Sequence, residues 1–315
     1  MNTAAPALPE ALLETLVAAG APDWYLQAIS HPTTTHDVNA PDGTRIHCVF
    51  WNEADVDKPP LLLVHGFRAH THAWDPIAPQ LTQHFRVLAV DLVGMGLSGR
   101  RADYGPASEF ANDLPSVIEG LRLGPVTLVG HSFGGACSIH LAHSRPDLVR
   151  RLVVIDSTIL FPQLDRERLT TQVGSGGRPY PDYEIIIGRY RLLPPQPCPP
   201  WALAFMAHHS VQPVPGGWGW KFDSRLPASR LVFTTQVALR DLAMPSDYVC
   251  GGQSAACEPR RLRLIEEAIG QGRPAVIIPG AHHHIMLDQP MALVGALRDL
   301  LCRRAEDPGQ PDGLG

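Results

Sequence analysis

Short apolar runs alternate with helical patterns between residues 60 and 156 of the 315-residue chain, and this alternation constrains the fold more than any other feature. Each run is continuous enough to be a strand buried on both faces. The runs lie at 60–64, 86–91, 125–130 and 152–156, and the helical patterns lie near 73–83, 108–122 and 132–144. Such alternation predicts an α/β fold with a mostly parallel central sheet flanked by helices.

The alternation stops near residue 159 and resumes near 241, with further strands at 247–251 and 275–278. We predict an inserted helical lid in the gap, because a structureless loop of that length is unusual inside a compact domain. The glycine-rich segment 174–177 is the expected hinge of that lid. The predicted division is a helical extension at 1–33, a core at 34–158 and 241–304, a lid at 159–240 and a disordered tail at 305–315.

Composition and charge narrow the classes of partner. Charged residues make up 18% of the chain, the net charge is −5 and no basic stripe occurs, so nucleic acid is not an expected partner. No apolar run has the length of a membrane span, and the first residues do not form a secretory signal. The six cysteines include no C-x-x-C pair, which favours a reducing compartment. We expect a cytoplasmic protein without membrane contact, and its oligomeric state is not indicated.

The segment Gly130-His131-Ser132-Phe133-Gly134 matches the pattern G-x-S-x-G. It lies directly after a buried strand and directly before a helix, where a sharp turn exposes the serine hydroxyl above the sheet. The flanking glycines leave room for neighbouring backbone, and the helix N-terminus favours developing negative charge. This context predicts that Ser132 is a nucleophile, against the alternative of a structural Gly-Ser turn.

Three consecutive histidines, 282 to 284, follow the last predicted strand and include the candidate general base. A metal site is the other use of such a cluster. We expect no metal, because adjacent histidines in one loop do not easily converge on one ion and no matching carboxylate motif lies nearby.

The segment His65-Gly66-Phe67 follows the first core strand. The backbone N–H groups of Phe67 and Phe133 are expected to form an oxyanion hole. The alternative role of His65 is to brace this loop.

These motifs, in this order, resemble those of the α/β-hydrolase superfamily. The resemblance rests on His-Gly-Phe at 65–67, Asp91 to Ser98, the segment 130–135 and His-His-x-Met-Leu-Asp-x-Pro near the end, and it covers about 34–304. Residues 217–223 are similar to the lid of an esterase-like branch called serine-hydrolase-like. In the superfamily the catalytic histidine usually stands seven positions before a proline that opens the last helix, which implies His283 here.

The third catalytic residue departs from the superfamily pattern. Most members carry an Asp in a Gly-x-x-Asp turn after the lid, but the corresponding turn here ends in Ser254. Asp247 lies at the wrong end of its strand, and Glu258 is expected to open a helix. A few branches place the acid after the strand that follows the nucleophile helix, which implies Asp156. The alternative is that Asp156 only caps its strand and orders the start of the lid.

Together these residues predict hydrolysis of a carboxylic ester or a related acyl bond by a Ser-His-Asp triad, with no cofactor. The expected substrate is a small molecule with an apolar part and without high charge. Aromatic and large apolar lid residues are the expected pocket wall, although packing within the lid explains each of them equally well: Phe205, Met206, Trp218 and Trp220. The alternatives are a C–C bond hydrolase of vinylogous diketones and a ligand-binding protein without turnover.

Overall fold

The computed structural model describes residues 3–4, 8–157, 159, 178–226, 234–240 and 242–302. The predicted hinge at 174–177 and the predicted tail at 305–315 lie outside the described residues.

A nine-stranded sheet forms the centre of the described fold. Its strands are β1 (Thr3–Ala4), β2 (Thr34–Asn39), β3 (Arg45–Phe50), β4 (Pro60–Val64), β5 (Arg86–Val90), β6 (Val126–His131), β7 (Val149–Ile155), β10 (Ser246–Gly251) and β11 (Val276–Ile278). The strand order is β1-β2-β3-β5-β4-β6-β7-β10-β11. In this order, every neighbouring pair from β5 onward is parallel, whereas the pairs β1–β2, β2–β3 and β3–β5 are antiparallel. The predicted mostly parallel sheet is therefore confirmed.

Helices cover both faces of this sheet, and two apolar cores lie between the helices and the strands. The helices are α1 (Glu10–Ala18), α2 (Asp23–Ile29), α3 (Ala107–Ala111), α4 (Leu114–Gly120), α5 (Phe133–Ser144), α6 (Tyr183–Ile187), α7 (Pro200–His209), α8 (Thr234–Ala238), α9 (Pro259–Ile269), α10 (Ile285–Asp288) and α11 (Pro290–Leu301). The central strands are mostly apolar because both of their faces are covered, and in β6 all six residues are buried.

Two helices that the sequence predicts as continuous are interrupted. The stretch near 73–83 is two short 3₁₀ turns, Thr71–Trp74 and Ala78–Leu81. The stretch near 108–122 is divided into α3, which begins at Ala107, and α4. Proline explains both interruptions, because it lacks the N–H that a continuing helix needs and its ring crowds the preceding turn.

The region predicted as a helical lid is not purely helical. Its described part contains α6, α7, α8 and a two-stranded hairpin of β8 (Val211–Val214) and β9 (Gly217–Trp220). The hairpin turn places Gly216 at φ 86° and Gly217 at φ 140°, values that favour glycine. The helical prediction missed this turn signal.

Asp223 fastens the end of the hairpin segment to the core. Its carboxylate accepts a hydrogen bond from the hydroxyl of Tyr104 at 2.8 Å, and its N–H donates to the carbonyl of Gly94 at 2.7 Å. The side chain of Asp223 is buried and also pairs with Arg225 at 2.7 Å. These contacts fix the position at which the inserted segment returns to the sheet.

Within the described ranges, no helix combines the length and the apolar character needed to cross a membrane.

Helix α5 crosses β4 so closely that a side chain at Gly134 has no room. A Cβ atom there would collide with the backbone carbonyls of Val64 and His65. Gly295 also lies in a helix, α11, but a Cβ atom there meets no neighbouring atom within 4 Å. The two glycines therefore form a matched pair.

Gly134→Ala should lower the free energy of unfolding by about 1–3 kcal/mol, because the new methyl group forces the helix and strand apart. Gly295→Ala should raise it by about 1 kcal/mol, since alanine is the better helix former. Urea denaturation of both variants measures the two changes. Equal stability of the two variants would contradict the close packing of α5 on β4.

Candidate active site

Ser132 stands at the turn between β6 and α5, as the sequence predicts. Its backbone has φ 53° and ψ −118°, a left-handed conformation that a non-glycine residue rarely adopts. Its N–H donates to the carbonyl of Ile155 on the neighbouring strand at 2.9 Å, which holds the strained turn in place. The turn places the hydroxyl at the carboxyl edge of the parallel sheet.

The loop after β11 brings His283 to this hydroxyl. The Ser132 hydroxyl and His283 Nε2 are 2.9 Å apart. The two neighbouring histidines face elsewhere: His282 Nδ1 contacts the carboxylate of Asp288 at 2.9 Å, and His284 Nε2 donates to the carbonyl of Leu193 at 3.1 Å. Of the three loop histidines, the structure therefore places only His283 against the serine.

Asp156 closes the chain of hydrogen bonds. His283 Nδ1 lies 2.8 Å from Asp156 Oδ1. Because a carboxylate only accepts, Nδ1 carries the proton, and Nε2 of the neutral ring is free to accept from Ser132. Asp156 is fully buried and sits at the end of β7 with φ 44°, a second left-handed non-glycine residue beside the first.

Ser254, to which sequence reasoning gave no role, supports the same carboxylate. Its hydroxyl donates to Asp156 Oδ1 at 2.6 Å, and the N–H of Gly251 donates to Asp156 Oδ2 at 2.8 Å. Both donors belong to β10 and the turn after it. The turn that usually supplies the acid in the superfamily thus supplies a donor to the acid here.

The other carboxylates weighed from sequence have different partners. Asp247 pairs with Arg151 at 2.7 Å, and Glu258 accepts from the N–H groups of Arg260 and Arg261 at the start of α9. The helix-opening role expected for Glu258 is therefore confirmed, and backbone N–H donors lower its pKa.

Two buried neutral histidines brace the loops around the site. Burial lowers the pKa of both His131 and His65. His131 Nε2 donates to the carbonyl of His283 at 2.9 Å. His65 Nδ1 donates to the carbonyl of Gly66 at 2.7 Å, and its Nε2 accepts from the N–H of Leu92 at 3.1 Å. His65 therefore has the bracing position that the sequence left as an alternative.

Phe67 and Phe133 flank the serine, with ring centroids 5.5 Å apart in an edge-to-face arrangement. Within the part of the chain that the structure describes, neither of their N–H groups donates to a protein acceptor. Phe133 is the first residue of α5, so its N–H has no partner within the helix. Two unpaired donors next to a nucleophile can stabilise a negatively charged oxygen.

A cavity of about 350 Å³ opens above Ser132 and His283. Met206 and Trp220 line it, as predicted, but Phe205 and Trp218 do not. Phe205 is fully buried and packs on Tyr25, and Trp218 packs on Tyr183. Their assignment to the pocket wall was wrong, because a side chain's direction depends on which face of its helix or strand meets the core.

The cavity also holds charge that sequence reasoning did not anticipate. Among the residues that the structure describes, its lining includes three arginines, Arg68, Arg189 and Arg191, and no carboxylate. Arg68 directly follows Phe67, so its place beside the loop 65–67 was a signal available in the sequence. The expectation of a ligand without high charge does not fit this lining.

Ring nitrogens of His131, His283 and His284 lie within 4.8 Å of one another. The argument that loop histidines do not converge overlooked His131, which comes from β6. Both nitrogens of His283 are nevertheless engaged, by Asp156 and by Ser132, and burial beside His283 lowers the pKa of His284 to about 3. A metal ion bound here would have to break the hydrogen bonds that join His283 to Asp156 and to Ser132.

Comparisons with known proteins agree with this geometry. A family model described as alpha/beta hydrolase fold matches residues 59–181. The chain is 29% identical to 2-(acetamidomethylene)succinate hydrolase of Mesorhizobium japonicum over 77% of its own length and 88% of that protein. It is 29% identical to the esterase Rv0045c of Mycobacterium tuberculosis over 78% of its length and 84% of that protein.

Among solved structures, that of E-2-(acetamidomethylene)succinate hydrolase superposes with a TM-score of 0.71 at 27% identity, over 84% of this chain and 97% of the other. The order of strands, the serine turn and the matching family model lead to one conclusion. The chain is a hydrolase that belongs to the α/β-hydrolase superfamily, which includes esterase-like relatives.

Proposed function

We propose that this protein is a serine hydrolase that cleaves a carboxylic ester through Ser132, His283 and Asp156. The observation that carries the proposal is the unbroken chain of hydrogen bonds from the Ser132 hydroxyl through His283 to Asp156, with distances of 2.9 and 2.8 Å. In such a chain the imidazole removes the serine proton, and the carboxylate stabilises the imidazolium that forms.

The reaction has two halves. Ser132 Oγ attacks the ester carbonyl while its proton moves to His283 Nε2, and the tetrahedral intermediate collapses as His283 returns that proton to the leaving alcohol. Water then attacks the acyl-serine, giving its proton to His283, and the acid leaves as the serine recovers its proton. The net reaction converts an ester and water into an acid and an alcohol, with no cofactor.

The N–H groups of Phe67 and Phe133 are proposed to hold the oxyanion in both halves. Their freedom from protein acceptors supports this role. Loss of one such donor in other enzymes costs about 3–4 kcal/mol of transition-state stabilisation.

We further propose that residues 34–158 and 241–304 form the catalytic core, that 159–240 form a lid over it and that 1–33 form a helical extension. The contribution of Tyr180, Tyr190, Met206 and Trp220 to the cavity supports the lid. The substrate is then a small molecule with an apolar part. The six cysteines are all free, which supports the proposed cytoplasmic location.

A second candidate is cleavage of an acyl bond other than an ester. The name of the succinate hydrolase, which resembles this chain in sequence and in structure, favours it. A panel of esters, amides and vinylogous diketones, assayed with one enzyme preparation, separates the two. Turnover of esters alone supports the first candidate, and turnover of amides or C–C bonds without esters replaces it.

Wild-type protein should react with a fluorophosphonate probe, with the adduct located on Ser132 by peptide mass spectrometry. Ser132→Ala should show no adduct and should lose about a millionfold in kcat, because the nucleophile is gone. A wild-type protein that stays unlabelled would indicate a ligand-binding protein without turnover instead.

Asp156→Asn should lower kcat by about 10⁴-fold, because an amide does not stabilise the imidazolium and favours the wrong tautomer of His283. Circular dichroism and thermal melting check that the fold is retained. Glu258→Gln is the matched control: it removes a carboxylate that caps α9, so stability should fall slightly while kcat stays near wild type. Near wild-type turnover of folded Asp156→Asn would exclude Asp156 as the acid.

Ser254→Ala should lower kcat about tenfold and leave KM unchanged, because Asp156 loses one charge-assisted hydrogen bond that positions it. Ser254→Thr keeps the hydroxyl and should restore most of the loss. Steady-state kinetics of the two variants make the comparison. A kcat equal to wild type in Ser254→Ala would show that this hydroxyl has no positioning role.

A further inference from the structure

We propose that the cavity above Ser132 binds a carboxylate group of the substrate, with Arg68 as the residue that receives it. This inference rests on the proposed function, in that it takes the cavity to be the substrate site. It names a substrate class that the triad alone does not specify: esters of acids that carry a second, free carboxylate.

The first support is the sign of the charge around the cavity. The chain as a whole has a net charge of −5, yet the only formal charges among the described lining residues are three guanidinium groups. The lining histidines add no negative charge, and burial lowers the pKa of His131 and of His284. A cavity lined by one sign of charge raises the local concentration of the opposite ion.

The second support is the environment of Arg68. Its guanidinium lies 5.3 Å from the ring centroid of Phe67 and 4.9 Å from that of Phe222, so two aromatic faces hold it. Its Nη2 donates to the carbonyl of Leu226 at 3.2 Å, whereas its Nε is buried and has no acceptor. Among the residues that the structure describes, Arg68 makes no ion pair.

A cation in this position is costly unless an anion joins it. Burial lowers the pKa of Arg68, which reflects that cost. Two carboxylates on neighbouring segments already have other partners. Asp91 accepts from the N–H groups of Thr71 and Leu97, and Asp223 pairs with Arg225. A planar substrate carboxylate would supply the anion that this guanidinium lacks among the described residues, in a geometry that arginine favours.

The backbone fixes where this carboxylate lies relative to the bond that is cleaved. Arg68 follows Phe67, whose N–H is proposed to hold the oxyanion, and the two Cα atoms of consecutive residues are about 3.8 Å apart. Arg68 has φ 56°, and its N–H donates to Met95 Sδ at 3.2 Å, which turns the chain at this point. One small molecule can therefore present its carbonyl to Phe67 and its free carboxylate to Arg68.

Arg189 and Arg191 differ from Arg68 because both are exposed. They lie between α6 and α7 at the same cavity, and Arg191 Nη1 donates to the carbonyls of Gly188 and Tyr190. Exposed charges attract an anion from solution and are screened by salt, whereas a half-buried guanidinium holds it. We assign the attraction to this pair and the anchoring to Arg68.

The kinetic test compares two p-nitrophenyl esters of similar length, the glutarate half-ester, which carries a free carboxylate, and the uncharged valerate. Wild type should favour the glutarate ester at least tenfold in kcat/KM, and Arg68→Met should reduce this preference at least tenfold. Arg150→Met is the matched control, because it removes an exposed guanidinium at the opposite end of β7. An equal preference in wild type and Arg68→Met overturns the proposal.

A binding test separates this proposal from the proposed function. Glutarate and its uncharged diamide are titrated by calorimetry into Ser132→Ala and into Ser132→Ala with Arg68→Met, at low and high salt. Glutarate should bind the first variant, and binding should weaken at least tenfold in the second, while the diamide binds neither. Arg68-dependent binding without turnover of any ester would end the hydrolase proposal and keep this one. Ester turnover with no Arg68-dependent binding would do the reverse.

Discussion

The buried carboxylate of Asp156 joins more of this site than any other group. It accepts from His283 after β11, from Ser254 in the turn after β10 and from the N–H of Gly251, while its own backbone ends β7. A fully buried carboxylate is stable only when its oxygens are satisfied, and here three donors from two segments distant in sequence satisfy them. The orientation of His283, and with it the distance to Ser132, depends on this cluster.

The strand order explains how the acid occupies this place. β7 and β10 are adjacent parallel strands, so their carboxyl ends open on the same edge of the sheet. A side chain at the end of either strand can reach the same imidazole, and the superfamily usually takes it from the turn after β10. Here β7 supplies the carboxylate, and Ser254 occupies the usual position as a donor to it. The hydrogen bond between the imidazole and a carboxylate is kept, although the carboxylate comes from the neighbouring strand.

The residues that line the cavity come from two different parts of the chain. The serine turn and the loop 65–67 come from the sheet edge, where backbone geometry is rigid, whereas Met206 and Trp220 come from the segment between β7 and β10. Asp223 ties that segment back to the core through Tyr104 and Gly94. Apolar side chains lower the local dielectric constant and so strengthen charge interactions inside the cavity. The wall that can contact an apolar part of a substrate would therefore also strengthen the interaction proposed for Arg68.

The sequence by itself determined the alternating fold and the serine turn, because these depend on local patterns that leave a strong periodic or motif signal. The choice of His283 and Asp156 as partners of Ser132 came from the resemblance to the superfamily, since the residues alone left three histidines and more than one role for Asp156 open. The interruptions of the two helices were also predictable from the sequence, because both stretches contain proline. The prediction gave more weight to the helical periodicity. Tertiary structure alone decided that Trp218 and Phe205 pack away from the cavity, that Ser254 donates to Asp156 and that three arginines line the cavity above the serine. Those outcomes depend on which faces of distant segments meet, and contacts between residues far apart in the sequence leave no mark on local periodicity.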